Sequence, residues 1–177
     1  MTIGGSLLNE HGSLNIENTA GKLNETKDSQ IINRNDDINI TNSSGAAATL
    51  DGHINTLEGN DINIKSTRKS GGIVIGENGL INTQGDVNME NYGIHGIKVR
   101  GAVVANDINI GNKDSHVYLG KPGQERTADD NANLNAYNDV NINIENGSLL
   151  NEGSKNTLIR TDGDLTINVN NGKIGVE

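Results

Sequence analysis

The chain has 177 residues, of which 32% are hydrophobic and 2% aromatic, with neither Phe nor Trp. Its 23 acidic side chains outnumber 14 basic ones, and the resulting net charge of −9, with so few aromatic rings, argues against a nucleic-acid partner. Cysteine is absent, which excludes disulfides and thiolate metal sites, and no apolar run approaches the length that spans a membrane.

A four-residue phrase returns along the chain: Asp, an aliphatic residue, Asn and a second aliphatic residue. From the first copy, at Asp37, the first aliphatic position recurs at spacings of 24, 25, 21, 32 and 25 residues. A shorter copy at Leu14-Asn15-Ile16 lies 24 residues upstream. The full copies begin at Asp37, Asp61, Asp86, Asp107, Asp139 and Asp164, the last with Thr in place of Asn. A period of this length indicates stacked supersecondary units that bury their apolar faces against one another.

Each repeat contains three strand-like segments. The phrase itself alternates apolar and polar residues, as expected for a strand with one buried face. A second strand precedes it, and a third apolar patch lies midway through the repeat, with Gly, Asn and Asp at the corners. The second strands are predicted at Ile32-Asn33-Arg34, Ile54-Asn55-Thr56, Ile81-Asn82-Thr83, Leu134-Asn135-Ala136 and Ile159-Arg160-Thr161, and the third patches at 47–50, 73–75, 97–99, 117–119 and 149–150. This pattern predicts an all-β chain, folded as a three-faced parallel β-solenoid of about six to seven coils.

The chain is expected to be a single solenoid segment over residues 1–177. Because Ser6-Leu7-Leu8-Asn9-Glu10 resembles Ser148-Leu149-Leu150-Asn151-Glu152, the chain is interpreted as beginning inside the repeat, as a piece of something longer. The coil that begins at Asp107 is longer than its neighbours, and the surplus, 120–131, contains the only proline. A surface loop is predicted there, since insertions in repeat proteins map to loops that often bind partners. Its candidate partner-binding residues are Lys121, Gln124, Glu125, Arg126, Asp129 and Asp130.

The repeat style resembles that of filamentous haemagglutinin-type exoproteins, the large adhesins, haemolysins and contact-dependent inhibition stalks exported by two-partner secretion. The segments that carry the resemblance are 141–147, 148–152 and 163–168, which read Asn-Ile-Asn-Ile-Glu-Asn-Gly, Ser-Leu-Leu-Asn-Glu and Gly-Asp-Leu-Thr-Ile-Asn. The resemblance implies a right-handed parallel β-helix, export through an outer-membrane transporter and a secreted or cell-surface location. It does not extend to the Asn-Pro-Asn signatures of the family's amino-terminal secretion domain.

The stacked polar residues have both structural and chemical interpretations. A column of the repeated Asp residues could bind Ca²⁺, but Asp at a strand start also satisfies turn amides, and the structural interpretation is favoured. The outward Asn column is expected to form hydrogen bonds along the stack. The four histidines are interpreted as solvated surface residues, and no cofactor is predicted. Lys98 and Arg100 are interpreted as a minor basic spot on an acidic surface.

Three functions are compatible with these features of the sequence. The favoured one is a non-enzymatic, stiff shaft segment of a large secreted bacterial adhesin. The first alternative is a segment that binds a host or bacterial receptor, or a glycan, through loop 120–131. The second is a polysaccharide-cleaving β-helix enzyme, for which Arg126 with Asp129 and Asp130 is the local candidate. Exposed strand edges on the first and last coils also predict end-to-end self-association.

Overall fold

The computed structural model describes residues 1–120, 133–153 and 158–176, and in these ranges all regular structure is β-strand. The strands are, in chain order, β1 (Thr2–Ile3), β2 (Ser6–Asn9), β3 (Leu14–Asn18), β4 (Asn24–Glu25), β5 (Gln30–Asn33), β6 (Ile38–Asn42), β7 (Ala47–Leu50), β8 (His53–Thr56), β9 (Ile62–Ser66), β10 (Gly72–Ile75), β11 (Leu80–Asn82), β12 (Val87–Asn91), β13 (Ile97–Val99), β14 (Ala102–Ala105), β15 (Ile108–Lys113), β16 (Val117–Leu119), β17 (Leu134–Ala136), β18 (Val140–Glu145), β19 (Leu149–Asn151), β20 (Ile159–Thr161), β21 (Leu165–Asn170) and β22 (Ile174–Val176). Within these ranges no helix could cross a bilayer.

The strands form three parallel sheets, each of which is one face of the molecule. Face 1 has the order β1-β4-β7-β10-β13-β16-β19-β22, face 2 the order β2-β5-β8-β11-β14-β17-β20, and face 3 the order β3-β6-β9-β12-β15-β18-β21. Each winding therefore contributes one strand to each face. A strand pairs with its counterparts in the windings before and after it, except at the two ends of each sheet, where it has one partner. The fold is a three-faced parallel β-solenoid, as the repeat predicts.

The core is a thin column of aliphatic side chains inside the solenoid. On face 3 the repeat phrase aligns winding by winding, and Ile38 pairs with Ile62 and Ile62 with Val87. The first aliphatic column is Leu14, Ile38, Ile62, Val87, Ile108, Val140 and Leu165, and the second is Ile16, Ile40, Ile64, Met89, Ile110, Ile142 and Ile167. The members between the end windings are almost fully buried. The predicted alignment of both columns is confirmed, although Leu165 in the last winding is 48% exposed instead of buried. The close spacing of the columns explains why the interior contains no Phe or Trp.

The register of face 2 differs from the prediction at one strand. The buried residue of β5 is Ile31, which pairs with Ile54, whereas the predicted core residue Ile32 pairs with Asn55 and points outward. Counted from Ile31, the chain reaches Ile38 with one residue more than the predicted spacing between these two strands. The corner after β5 is therefore one residue longer. Inside that corner the Asn33 side chain donates a hydrogen bond to the Asp37 carbonyl, at 2.8 Å, and so stabilises the longer turn.

Four strands, β1, β4, β14 and β22, were not predicted. Asn24 and Glu25 of β4 carry no apolar signal, Val103 of β14 lies close behind β13, and β1 and β22 are short strands in the first and last windings. Residues 6–10 and 148–152 resemble each other in sequence, but β2 belongs to face 2 and β19 to face 1. Similar local sequence therefore occupies two different faces, each of which needs aliphatic residues.

The predicted partner-binding residues of the loop lie outside the described residues; they are Lys121, Gln124, Glu125, Arg126, Asp129 and Asp130. The described chain leaves face 1 at Gly120, whose N–H donates to the Val99 carbonyl at 3.0 Å. It is described again from Asn133, whose carbonyl accepts from the N–H of Val103 at 2.8 Å. The predicted binding role of these six residues stays a prediction.

Candidate functional site

The repeated Asp residues use their carboxylates to bind backbone amides. Oδ1 of Asp37 accepts from the N–H of Asp61 at 2.9 Å, and Oδ1 of Asp61 accepts from the N–H of Asp86 at 2.9 Å. The same contact continues through Asp107 and Asp139 to the last copy. This is the geometry that the structural interpretation of the column predicts. Among the described residues, no three His, Cys, Asp or Glu side chains converge in a way that could hold a metal ion.

The outward Asn residues of face 3 form an amide ladder. The side-chain N–H of Asn63 donates to the side-chain carbonyl of Asn39 at 3.0 Å, and Asn88 donates to Asn63 at 2.9 Å. The ladder continues from Asn15 to Asn141 without a break. Each amide inside the ladder donates one N–H to one neighbour and accepts one from the other, so the ladder stabilises the stack.

Sequence reasoning missed a second set of polar side chains, buried at the corner between faces 3 and 1. Asn42 accepts from Asn18 at 2.9 Å, and Asn112 accepts from Asn91 at 2.8 Å. The same residues donate to backbone carbonyls of the turn, as Asn42 does to Ala46 at 2.7 Å. The signal was present in the sequence as an Asn two residues beyond the second aliphatic position of the phrase.

Glu25 is a carboxyl group inside the core of face 1. It takes the place of an aliphatic residue in the inner column, between Ile3 and Leu50, and it is fully buried. Its Oε2 accepts from the N–H of Gly52 at 3.3 Å, while Oε1 has no hydrogen-bond partner among the described residues. Burial raises the pKa of Glu25 to about 7, against weaker opposing hydrogen bonds from Ser29 and Gly52.

The outward surface of face 1 does not repeat. Its central column contains Thr49, Val74, Lys98 and Tyr118 in successive windings. Because no two of these side chains share a chemistry, they cannot form a ladder of the kind seen on face 3. A column whose members all differ is where a solenoid can present a specific surface.

A cluster of three charged side chains lies at the centre of this face. Nε and Nη2 of Arg100 donate to the two carboxylate oxygens of Glu152, at 2.8 and 3.1 Å. The ammonium of Lys98 lies 3.5 Å from Oε1 of the same carboxylate. Arg100 follows β13 and Glu152 follows β19, with Gly120 after the intervening strand β16. Because Gly120 has no side chain, the guanidinium can cross the winding between them.

The electrostatics of the cluster favour fully charged groups. The hydrogen bonds from Arg100 are the main cause of a lowered pKa at Glu152, and the same bonds raise the pKa of Arg100. The Glu152 side chain is 8% exposed, whereas those of Lys98 and Arg100 are 32% and 33% exposed. The carboxylate thus lies beneath the two cations, and solvent meets mainly positive charge.

Aromatic rings complete the site beside Lys98. Its Nζ lies 4.7 Å from the centre of the Tyr118 ring, within the range of a cation–π contact. The His116 ring meets Tyr118 edge-to-face, with ring centres 5.8 Å apart. Nδ1 of His116 accepts from the N–H of Ser148 at 3.0 Å, which leaves the proton of the neutral imidazole on Nε2.

These side chains form one end of a groove with a volume of about 570 Å³ that runs along face 1. The floor includes Ala46, Ala47 and Val74, and Lys22 lies at the far end. His95 forms part of the wall. It lies so close to Gly72 that a Cβ atom at that glycine would be only 2.7 Å from the Cβ of His95. The groove exists because the middle windings present small residues between larger ones. A second cavity, about 770 Å³, lies on face 3 beside Lys113 and Glu145.

The arrangement on face 1 is suited to binding. Arg100 is held protonated and Glu152 ionised, so neither is placed to exchange a proton near neutral pH. Of the sequence-predicted residues, the structure brings together Lys98 and Arg100, which were interpreted as a minor basic spot. Their partner Glu152 and the neighbours Tyr118 and His116 were missed, because this face has no repeated polar phrase and Glu152 lies two windings beyond Arg100.

The chain matches no protein-family model, no curated protein and no solved structure.

Proposed function

We propose that this chain is a structural shaft segment of a secreted bacterial adhesin, acting as a stiff spacer between a cell and a distal binding domain. The observation that carries the proposal is the unbroken inner column of face 3, from Leu14 to Leu165. Seven strands stacked about 4.8 Å apart give this face a height of about 29 Å. The resemblance of the repeats to filamentous haemagglutinin-type exoproteins supports export through an outer-membrane transporter and a place at the cell surface.

Stiffness follows from the way the windings are joined. Each winding is linked to the next by parallel strand pairing on three faces, and also by the Asp and Asn side chains of face 3. Bending the rod would lengthen these hydrogen bonds on one side. Because they are distributed over every winding, no single point acts as a hinge. A spacer needs this property and needs no particular surface chemistry.

A spacer is tested by changing its length and its surface separately. Deleting residues 39–62 joins Ile38 to Asn63 and removes one winding in register, since Ile38 pairs with Ile62. The variant should stay folded and shorten the rod by about 4.8 Å. In cells that display the protein, attachment should fall with each winding removed. The matched control replaces Lys65 and Lys113, two exposed face 3 residues, with Ala, and attachment should not change.

The opposite pattern would contradict the proposal. If attachment survives the deletion of whole windings but is lost on surface substitution, the segment acts through its surface and its length is irrelevant. Protease treatment of intact cells tests the location independently. A protease added outside the cells should cleave or shed the shaft if the shaft lies at the cell surface.

A further inference from the structure

The groove on face 1, together with its charged end, is a feature that a spacer does not require. We infer that it binds a linear polysaccharide bearing carboxylate groups, with the chain running along the solenoid axis. This site is independent of the spacer role, because the groove can be altered without changing the number of windings.

The charge of the groove is complementary to that of an anionic polymer. The groove is lined by Lys22, Lys98 and Arg100, with the imidazoles of His95 and His116, and no Asp or Glu is among the described residues that line it. This concentration of cations lies on a chain whose net charge is −9. An acidic rod would otherwise repel an anionic ligand at every point. Among the described residues, the carboxylate that binds these cations directly is that of Glu152, which is 8% exposed, and the charge of Glu77 also acts on Arg100.

The Arg100 guanidinium also has more donors than Glu152 uses. It has five N–H groups and gives two of them to Glu152. Lys98 is held in place by Glu152 and Tyr118, which lowers the entropy lost when it binds an anion. These two side chains form a preorganised carboxylate-binding end of the groove.

The shape of the groove selects a linear chain. Lys22 precedes β4, and Tyr118 lies in β16, so the groove crosses five successive windings, or about 19 Å at 4.8 Å per winding. The floor of Ala47 and Val74 offers a flat apolar strip, and the Tyr118 ring stands at its end. Sugar rings present flat C–H faces and hydroxyl groups, which fit such a strip between imidazole and ammonium donors.

Other anionic polymers fit less well. The face 1 strands in the windings of the groove are paired on both sides, so an acidic peptide finds no free strand edge to join. A nucleic acid would need several stacking rings and a longer run of cations than this groove has. The experiment must therefore distinguish binding of a polyuronate from binding of an acidic peptide or a nucleic acid.

In the experiment the folded chain is titrated with polygalacturonate fragments, and calorimetry measures the heat of binding. Binding is expected for the wild type and absent for a neutral glucan of similar length. Lys22→Ala and Lys98→Ala should each weaken binding by about 5- to 10-fold, as expected for one charge-assisted contact. Lys65→Ala and Lys113→Ala are the matched controls on face 3 and should leave the affinity within about 2-fold. Circular dichroism confirms that each variant keeps its strand content.

Three results would overturn the inference. The first is an absence of binding to polygalacturonate. The second is equal weakening by the face 3 lysine variants, which would indicate nonspecific attraction of polyanions. The third is tighter binding of single-stranded DNA or an acidic peptide, which would assign the groove to a different polymer. None of these results bears on the spacer proposal, whose test depends on winding number.

Discussion

Faces 3 and 1 are built on the same rod, but they treat their outward residues in opposite ways. On face 3 the outward position is Asn in six successive windings, from Asn15 to Asn141, and each amide binds the next. On face 1 the corresponding column changes from Thr49 through Val74 and Lys98 to Tyr118. A repeated side chain binds its own copies, whereas the members of a varied column bind unlike neighbours, as Lys98 binds Glu152. Outward variation on a solenoid therefore marks the surface on which a specific site can be built.

The interior does not share this difference. Both faces present an aliphatic column to the core, represented by Ile110 on face 3 and Ile75 on face 1, which are 1% and 0% exposed. On face 1 two polar residues take positions in this column, the buried Glu25 and, near the end of the stack, Asn151. The two faces thus differ outside along their whole length and inside at these two windings, and each difference can be tested separately.

The largest expected effect comes from the interior that the faces have in common. Ile110→Ala and Ile75→Ala should each lower the free energy of unfolding by about 2–5 kcal/mol, because each leaves a cavity in a column that cannot collapse without shifting two windings. Urea unfolding followed by far-UV circular dichroism measures the change. If only one of the pair loses more than about 1 kcal/mol, the two columns are not equivalent and the common core is wrong.

A comparable effect is expected from Glu25, and it depends on pH. Its pKa is about 7 in the folded chain against an ordinary value of 4.5, so the folded state holds the proton more tightly. The contribution of Glu25 to stability is therefore largest below about pH 4.5 and is lost as the pH rises from there through 7, by roughly 3 kcal/mol in total. Glu25→Gln, which stays neutral, should remove this dependence in urea unfolding at about pH 5 and about pH 8.

The control for Glu25 is Glu17→Gln, a substitution of an exposed carboxylate on face 3. It should keep the wild-type loss of stability between the two pH values. A wild type that is equally stable at both would show that the carboxyl of Glu25 is not held neutral by the core.

The smallest effect tests the outward ladder. Asn63→Ala removes one bond to Asn39 and one from Asn88, and it should lower the free energy of unfolding by about 1–2 kcal/mol. Thr49→Ala, at an outward position of face 1, should change it by less than about 0.5 kcal/mol. Equal losses at the two positions would remove the distinction between a face that is satisfied internally and one that is not.

Much of the fold could be predicted because each winding repeats one local pattern. Alternating residues such as Ile38-Asn39-Ile40 assign a strand and its buried side, and the period assigns the partner of each strand. Prediction failed where winding length varied or where the pattern was ambiguous. Ile31 and Ile32 are equally apolar, and only the long corner around Asn33 decides which one faces the core. Glu25 was missed because a single acidic residue gives no sign of burial.

The candidate site shows more clearly which features can be predicted from the sequence and which cannot. Sequence alone determined that this protein is a parallel β-solenoid with aliphatic columns inside and an amide ladder outside, because both follow from a period that each winding carries in full. Tertiary structure alone decided that Arg100 binds Glu152, 52 residues away, across the winding that contains Gly120. The physical reason is that windings of unequal length erase any fixed spacing between neighbours in space. A surface built from unlike residues in successive windings therefore leaves no period to detect.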